Sequence, residues 1–151
     1  MFPISLQDPS TIASVPPLVL VVDDEPAVGS ATVESLRAGG YPSVGECDGD
    51  KALRIARSEL TFLVVSEIYI ACAEGPCIVA CLKQDRGRLP RVRVLVHTRH
   101  SNEADTAWAL AAGCDALVPK PAPPDVLLRE VRRLEGGLQL VRDADHPSSV
   151  S

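Results

Sequence analysis

The feature that most constrains this chain is a series of short apolar runs, rich in valine, that stop at polar residues. The first run, Leu18 to Val22, ends at the adjacent acids Asp23 and Asp24. A run of this length and composition, bounded by polar residues, is typical of a strand buried on both faces of a parallel sheet. The pattern therefore predicts a parallel sheet that is covered by helices on both faces.

Strand-like runs alternate with helix-like segments along most of the chain. Strands are predicted at residues 18–22, 43–47, 62–66, 92–97 and 115–119. Five helices are predicted, one after each strand. The fourth helix is predicted to begin after Ser101 or Asn102 and to end at Gly113. Its predicted inner face consists of Ala107, Leu110 and Ala111.

The remaining helix boundaries are predicted from proline and glycine. The first helix is expected to begin at Pro26, a favoured first-turn residue, and to end at Gly39 and Gly40. The third is expected over 75–84, and the fifth from Pro124 to the glycine pair at 136–137. These boundaries divide the chain into a flexible leader at 1–17, one domain at 18–137 and a tail at 138–151.

Composition limits the classes of protein to which the chain can belong. Its 151 residues suit one domain, and 46% apolar with only 3% aromatic residues predicts an aliphatic core. A net charge of −5 argues against a nucleic-acid surface covering the whole domain. No apolar run is long enough to span a bilayer and no secretory signal is present, so no membrane contact and a cytoplasmic location are expected.

Five cysteines are present, Cys47, Cys72, Cys77, Cys81 and Cys114. Their odd number and the lack of a Cys-x-x-Cys pair favour free thiols that pack as small apolar side chains. Cys77 and Cys81 are four residues apart and are expected to share a helix face.

Polar residues stand at the ends of the other predicted strands as well. The third strand ends at Glu67, the fourth near Thr98, and Lys120 follows the fifth between two prolines. Because the carboxyl ends of parallel strands meet at one edge of a sheet, these groups are expected to line one crevice. Two or three carboxylates with a lysine suit a phosphoryl group and a divalent cation. Taken singly, each has a simpler interpretation as a helix-start acid, a loop lysine or a strand-end hydroxyl.

As a set, these residues resemble the receiver domain of two-component response regulators. The resemblance covers about residues 18–137 and depends on the stretch Leu-Val-Leu-Val-Val-Asp-Asp-Glu-Pro, on Gly75 and Thr98, and on Val-Pro-Lys-Pro around Lys120. It implies a flavodoxin-like α/β fold, (βα)5, with a doubly wound, five-stranded parallel sheet in the order 2-1-3-4-5.

The resemblance also implies roles for individual residues. Asp23 and Asp24 match the family's magnesium-binding acids, and the family spacing places the phosphoryl acceptor at Glu67. Tyr69 would supply a backbone carbonyl to the metal, while Thr98 and Lys120 would contact the phosphoryl oxygens.

The chain departs from the family at the acceptor. Glu67 stands in place of aspartate, Ala71 in place of a proline, and Leu117 in place of an aromatic switch residue. One extra methylene moves a carboxylate by about 1.5 Å, and a displacement near 1 Å costs phosphoryl transfer about 100-fold. A degenerate pseudo-receiver, with no enzymatic activity and weak or absent Mg²⁺ binding, is therefore expected, unless the register differs by one and Ser66 faces the crevice.

The replacement of aspartate by Glu67 leaves two outcomes open. In one, the domain is fixed near its activated surface; in the other, its switch has been abandoned. Output is expected through protein contact, with no DNA-binding domain, and a sensor histidine kinase and a homodimer are further possible partners. The predicted partner face is formed by helix 4, strand 5 and helix 5. It includes Trp108, Arg129, Arg132 and Arg133.

Two other classes of function were weighed against a signalling module. The first is a small magnesium-dependent phosphoryl hydrolase that uses the same acidic crevice. The second is a nucleotide-binding fold, which the lack of a glycine-rich loop after the first strand disfavours.

Overall fold

The structure is a computed structural model that describes residues 18–58, 61–84 and 92–144, with side chains as far as residue 136. The predicted leader at 1–17 and residues 145–151 of the predicted tail lie outside the described residues. Within the described ranges the chain alternates five strands with five helices. They are β1 Leu18–Val22, α1 Pro26–Ala38, β2 Ser43–Glu46, α2 Gly49–Ser58, β3 Thr61–Ser66, α3 Ile78–Gln84, β4 Arg93–Thr98, α4 Glu103–Ala112, β5 Ala116–Pro119 and α5 Pro124–Ala144.

The five strands form one parallel sheet in the order β2-β1-β3-β4-β5. This confirms the predicted fold class and strand order, and each strand lies within one residue of its prediction. The register pairs Val22 of β1 with Ser66 of β3, and Thr98 of β4 with Pro119 of β5. The strands therefore end at the same edge, and the residues that follow them lie side by side.

The sheet separates two apolar clusters. The first lies between the sheet and helices α2, α3 and α4, and includes Val64 and Ile78. The second lies between the sheet and helices α1 and α5, and includes Leu36, Leu63 and Val131. Neighbouring residues of β3 enter opposite clusters because strand side chains alternate between faces. Full burial of one such aliphatic side chain contributes about 1.5–3 kcal/mol.

Helix boundaries mostly follow the predicted signals. Helix α1 begins at Pro26 and is followed by Gly39 and Gly40, the second of which has a positive φ of 95°. Helix α4 is capped by Asn102, whose side chain accepts the amide proton of Asp105, and it ends at Gly113 with a left-handed φ of 102°. These positions confirm the predicted limits of α4.

Three helix predictions were wrong in detail. Helix α3 begins at Ile78 rather than at residue 75, and α5 continues past Gly136 to Ala144. In α4 the residue that faces the core is Ala109, whereas Leu110 is 59% exposed. Ala107 and Ala111 are also exposed. The sequence of α4 places apolar residues on every side of the helix. It therefore has no single apolar stripe that would identify the inner face.

The short edge strand β5 is attached at its first residues by Asp115. The Asp115 carboxylate accepts hydrogen bonds from Lys83 Nζ at 3.0 Å and from the Val94 amide at 2.8 Å. The Asp115 amide donates to the Val94 carbonyl at 2.7 Å. This arrangement joins α3, β4 and β5 at the amino-terminal edge of the sheet.

The loop between β3 and α3 packs closely against the start of α2. The Ala73 amide donates to the Asp50 carboxylate at 2.8 Å. Gly49 lies so near the loop that a Cβ atom there would be 2.1 Å from the Ala71 carbonyl oxygen. The loop that follows Glu67 is therefore held in place by close backbone packing. This loop has Ala71 at the position where the family resemblance predicts a proline.

Replacement of Gly49 tests this packing. Gly49→Ala is expected to destabilise the domain by about 1–3 kcal/mol, because the Ala71 backbone must move away from the new methyl group. Gly136→Ala is the matched control, since nothing lies within 4 Å of its Cβ position, and it should stabilise α5 by about 0.5–1 kcal/mol. Urea unfolding followed by circular dichroism measures both, and equal effects of the two variants would contradict the close approach.

Candidate functional site

The ends of four strands bring Asp23, Glu67, Thr98 and Lys120 together at the carboxyl edge of the sheet. Asp23 and Glu67 follow the neighbouring strands β1 and β3, which are continuous apolar runs because both faces are buried. Lys120 follows the outer strand β5, and its amide donates to the Thr98 carbonyl at 2.8 Å. The Lys120–Pro121 peptide bond is cis.

Lys120 is the centre of the site, because its ammonium group binds two carboxylates. Lys120 Nζ lies 2.6 Å from Asp23 Oδ2 and 3.0 Å from Glu67 Oε2. The three side chains are 6%, 5% and 11% exposed, in the order Lys120, Asp23, Glu67. Charge-assisted hydrogen bonds of this length between desolvated groups are stronger than those on a surface.

The remaining oxygens of the two acids are also hydrogen-bonded. Asp23 Oδ1 accepts the amide proton of Glu25, and Glu67 Oε1 accepts that of Ile68, both at 2.9 Å. The Thr98 hydroxyl acts to lower the pKa of Glu67 and accepts the amide proton of His100 at 2.9 Å. Every carboxylate oxygen of the pair is thus engaged, which satisfies the requirement that buried charges be compensated.

The electrostatics of the pair favour its charged form. Burial acts to raise the pKa of Glu67, but hydrogen bonds from Thr98, the Ile68 amide and Lys120 outweigh it, so the pKa lies below the ordinary 4.5. Burial likewise acts to lower the pKa of Lys120, and the two carboxylates reverse the effect, so the pKa lies above 10.5. Both shifts describe one ion pair that stays charged across the neutral range.

His97 lies behind the site as a neutral side chain. Its Nδ1 is 2.8 Å from the Val118 carbonyl oxygen, which only a protonated nitrogen can bind, so the proton is assigned to Nδ1. Burial lowers the pKa of His97 and outweighs the bond to Val118. His97 therefore joins β4 to β5 beneath Lys120 and adds no charge to the site.

The other two residues of the predicted metal set lie differently. Asp24 is exposed, and Tyr69 is 47% exposed with its hydroxyl bonded to the Asp105 carboxylate. No oxygen of Asp23 or Glu67 is left without a hydrogen bond for an ion to use. Among the described residues, no three His, Cys, Asp or Glu side chains are grouped as a metal site requires. The buried side-chain atom without a partner in those ranges is the Thr61 hydroxyl, outside the site. A Mg²⁺ ion in this crevice would therefore compete with the Lys120 ammonium group for Asp23 and Glu67.

The register at the end of β3 places Glu67, and not Ser66, against Lys120. Ser66 is fully buried, and its hydroxyl donates to the backbone carbonyl of Glu67 at 2.7 Å. At the position of the family's aromatic switch, Leu117 is half-buried against the first apolar cluster.

The contact between Tyr69 and α4 was not predicted from the sequence. The Tyr69 hydroxyl donates to Asp105, and its ring lies 5.3 Å from that of Trp108 and 5.8 Å from that of His100, measured between ring centres. This contact joins the loop after Glu67 to the first turn of α4. No spacing rule links residues 36 positions apart, so only the fold reveals it.

The residues of the predicted partner face are divided between the two sides of the sheet. Trp108 is half-buried against the first apolar cluster and Tyr69. Arg132 lies beside Tyr41, which belongs to the second cluster. Arg133 pairs with Glu130 at 3.0 Å, and Arg129 is exposed.

Comparison with known proteins identifies relatives of the chain. The family model described as "Response regulator receiver domain" matches residues 19–132. Transcriptional activator protein ExaE of Pseudomonas putida is 31% identical over 79% of this chain and 55% of its own length. The DNA-binding response regulator MtrA of Mycolicibacterium smegmatis is 28% identical over 87% of this chain and 54% of its own length.

Solved structures agree on the fold. A CheY-like response regulator receiver domain protein from Methanospirillum hungatei superposes with a TM-score of 0.71 at 21% identity, covering 82% of this chain and 97% of the other.

No described helix has both the length and the apolar character needed to cross a membrane.

The relatives overturn the expectation about output. The chain spans about half the length of the two curated relatives, one of which is named a DNA-binding response regulator. The prediction of no DNA-binding domain was therefore wrong, because about half of each relative lies outside the region matched by this chain and one relative is named DNA-binding.

The lowered pKa of Glu67 predicts how its contribution to stability depends on pH. A carboxyl whose pKa falls on folding stabilises the protein above its unfolded value of 4.5, and loses that contribution as the pH drops through the folded value. Glu67→Gln should therefore be about 1–3 kcal/mol less stable than the wild type at pH 7, and the difference should shrink below pH 4.5.

The measurement is urea unfolding of both proteins between neutral and acidic pH. Glu130→Gln serves as the control, since Glu130 pairs with an Arg133 side chain that is 57% exposed. Its effect should stay within about 1 kcal/mol at every pH. A Glu67→Gln difference that does not change with pH would contradict the ion pair.

Proposed function

Because the chain belongs to the response regulator receiver family, we propose that it is a receiver module of a two-component system in which a permanent ion pair replaces phosphorylation. The observation that carries this proposal is the hydrogen bond between Glu67 and Lys120, and it is supported by Thr98, which lowers the pKa of the same carboxyl. These are the residues that the family resemblance assigns to the phosphoryl oxygens. The glutamate carboxylate thus occupies the position of a phosphoryl group with one negative charge in place of nearly two.

Glu67 is also poorly placed to accept a phosphoryl group. Acceptance needs a carboxylate oxygen with a free lone pair in line with the phosphorus atom. Here one oxygen accepts the Ile68 amide and the other binds Lys120, and these bonds hold the carboxylate towards the lysine instead of in line with a phosphoryl donor. The Asp23–Lys120 bond would have to break before a cation could enter.

We propose that the module no longer switches between two conformations, so that the surface it presents to a partner stays the same. Two observations support this. Leu117 packs against the core where an aromatic residue would be free to change position. Tyr69 is held by Asp105, and its ring packs at a tilt of 52° against Trp108, which attaches the loop after Glu67 to α4. A module of this kind has no catalytic role and passes on its state by contact with another protein segment, which in the relatives named DNA-binding includes the DNA-binding region.

Restoring the acceptor tests the proposal. Incubation with acetyl phosphate and Mg²⁺ should leave the wild type unmodified. Glu67→Asp should gain one phosphoryl group, because the shorter side chain withdraws its carboxylate by about 1.5 Å and leaves space before Lys120. Intact mass spectrometry measures the gain, and Glu67→Gln is the control for modification elsewhere.

Rapid modification of the wild type at Glu67 would refute the proposal. Release of inorganic phosphate from a generic phosphate ester by the wild type, and its loss in Glu67→Gln, would instead support the hydrolase alternative. The same protein samples therefore distinguish a silent module, an active receiver and an enzyme.

Magnesium binding should be weak because Lys120 already neutralises the two acids. Titration of the wild type, followed by amide shifts in NMR spectra, is expected to give no saturation below the millimolar range. In Lys120→Ala the carboxylates lose their cation, so Mg²⁺ should bind more tightly and raise the stability of the variant. Tight binding to the wild type, or no change in the variant, would contradict this prediction.

A further inference from the structure

Two of the five cysteines lie in contact near the loop that follows Glu67. Cys72 Sγ and Cys81 Sγ are 2.7 Å apart, although the residues are nine positions apart in the chain. Both are free thiols, and Cys77 is the third cysteine of the same region. Neither the receiver fold nor the ion pair at Lys120 requires this contact.

The local fold creates the contact. Cys72 and Gly75 form an isolated antiparallel bridge, which turns the loop back towards α3. A Cβ atom at Gly75 would lie 2.9 Å from Cys81 Sγ, so the lack of a side chain there leaves space for the sulfur. Cys81 is 3% exposed within α3, whereas Cys72 is half-buried.

The distance fits a pair that can form a bond better than a metal site. Two thiolates bound to one tetrahedral zinc ion at about 2.3 Å each lie about 3.8 Å from one another. The two sulfurs here are much closer, and a disulfide bond of about 2.05 Å requires only a small further approach. The described residues also contain no metal-holding group of cysteines.

We propose that Cys72 and Cys81 form a reversible intramolecular disulfide when the protein meets a peroxide. This modification site goes beyond the receiver function and does not depend on it. The sulfur of Cys72 attacks one oxygen of hydrogen peroxide, the O–O bond breaks, and sulfenic acid and water form. The sulfur of Cys81 then attacks the sulfenic sulfur, the S–O bond breaks, and the hydroxide leaves with the Cys81 proton as water. The two thiols lose two electrons, and the peroxide is reduced to two waters.

The environments of the two thiols set this order. Burial raises the pKa of Cys81 to about 12, and the neighbouring Cys72 adds to the effect, so Cys81 stays protonated at neutral pH. The half-buried Cys72 is the sulfur that a peroxide reaches first. Cys81 then acts as the resolving thiol, because it is already in contact with Cys72.

The bond would close a short loop that contains the turn and the start of α3. The loop is already held by Asp50 through the Ala73 amide, so the oxidised form keeps its position and loses freedom chiefly in the unfolded chain. Thermal unfolding of the oxidised protein is therefore expected several degrees above that of the reduced protein.

Counting thiols by mass tests the proposal. The reduced protein is treated with hydrogen peroxide, unfolded, labelled with a maleimide and weighed intact. The untreated wild type should carry five labels, one on each cysteine. The treated protein should carry two fewer, and dithiothreitol should restore all five.

Single variants identify the pair. Cys77→Ala should still lose two labels on oxidation. Cys72→Ala should lose none, and Cys81→Ala should lose one, because the Cys72 sulfenic acid then has no resolving thiol beside it. Circular dichroism checks that each variant folds, and since Cys72 is only half-buried, its variant keeps the test valid if Cys81→Ala unfolds. Retention of five labels by the wild type, loss of the effect in Cys77→Ala, or a cross-linked dimer on a non-reducing gel would each overturn the proposal.

Discussion

The interaction on which the site depends is the buried contact of one ammonium group with two carboxylates. Moving any of these charges from water into the protein alone is unfavourable by several kcal/mol. They are stable together because Lys120 lies within hydrogen-bond distance of Asp23 and Glu67, and backbone amides complete the remaining acceptors. A cation or a phosphoryl group would compete with Lys120 for the same carboxylates. This competition is the physical basis of the proposal that the glutamate changes the chemistry of the site.

The parallel sheet makes this contact possible. Residues 23 and 120 are separated by most of the domain, yet they follow strands that end at the same edge. The central strands β1 and β3 carry the acids, and the outer strand β5 carries the lysine. The parallel sheet therefore supplies the positions, and the proposed function assigns the choice between a reactive site and a closed ion pair to the length of one side chain.

Much of this was predictable from the sequence, for reasons that differ between elements. The valine-rich runs specified the strands because only a buried parallel strand suits them, and Asn102 with Gly113 specified α4 because capping is local. The inner face of α4 was not predictable, since its apolar residues cover every side. Nor could spacing show that Lys120 also binds Asp23, or that Tyr69 reaches Asp105, because a side chain's choice among partners depends on three-dimensional proximity.

One consequence concerns the edge of the sheet. Strand β5 is only four residues long, and an edge strand has a row of backbone groups without partners. Asp115 attaches β5 at one end and Lys120 attaches it at the other. Each residue donates a backbone hydrogen bond to β4, and each forms an ion pair with a residue outside β4. A slip of β5 by one residue would break both attachments and turn Val118 away from the core. The lysine of the buried ion pair therefore also holds the edge strand β5 in its register.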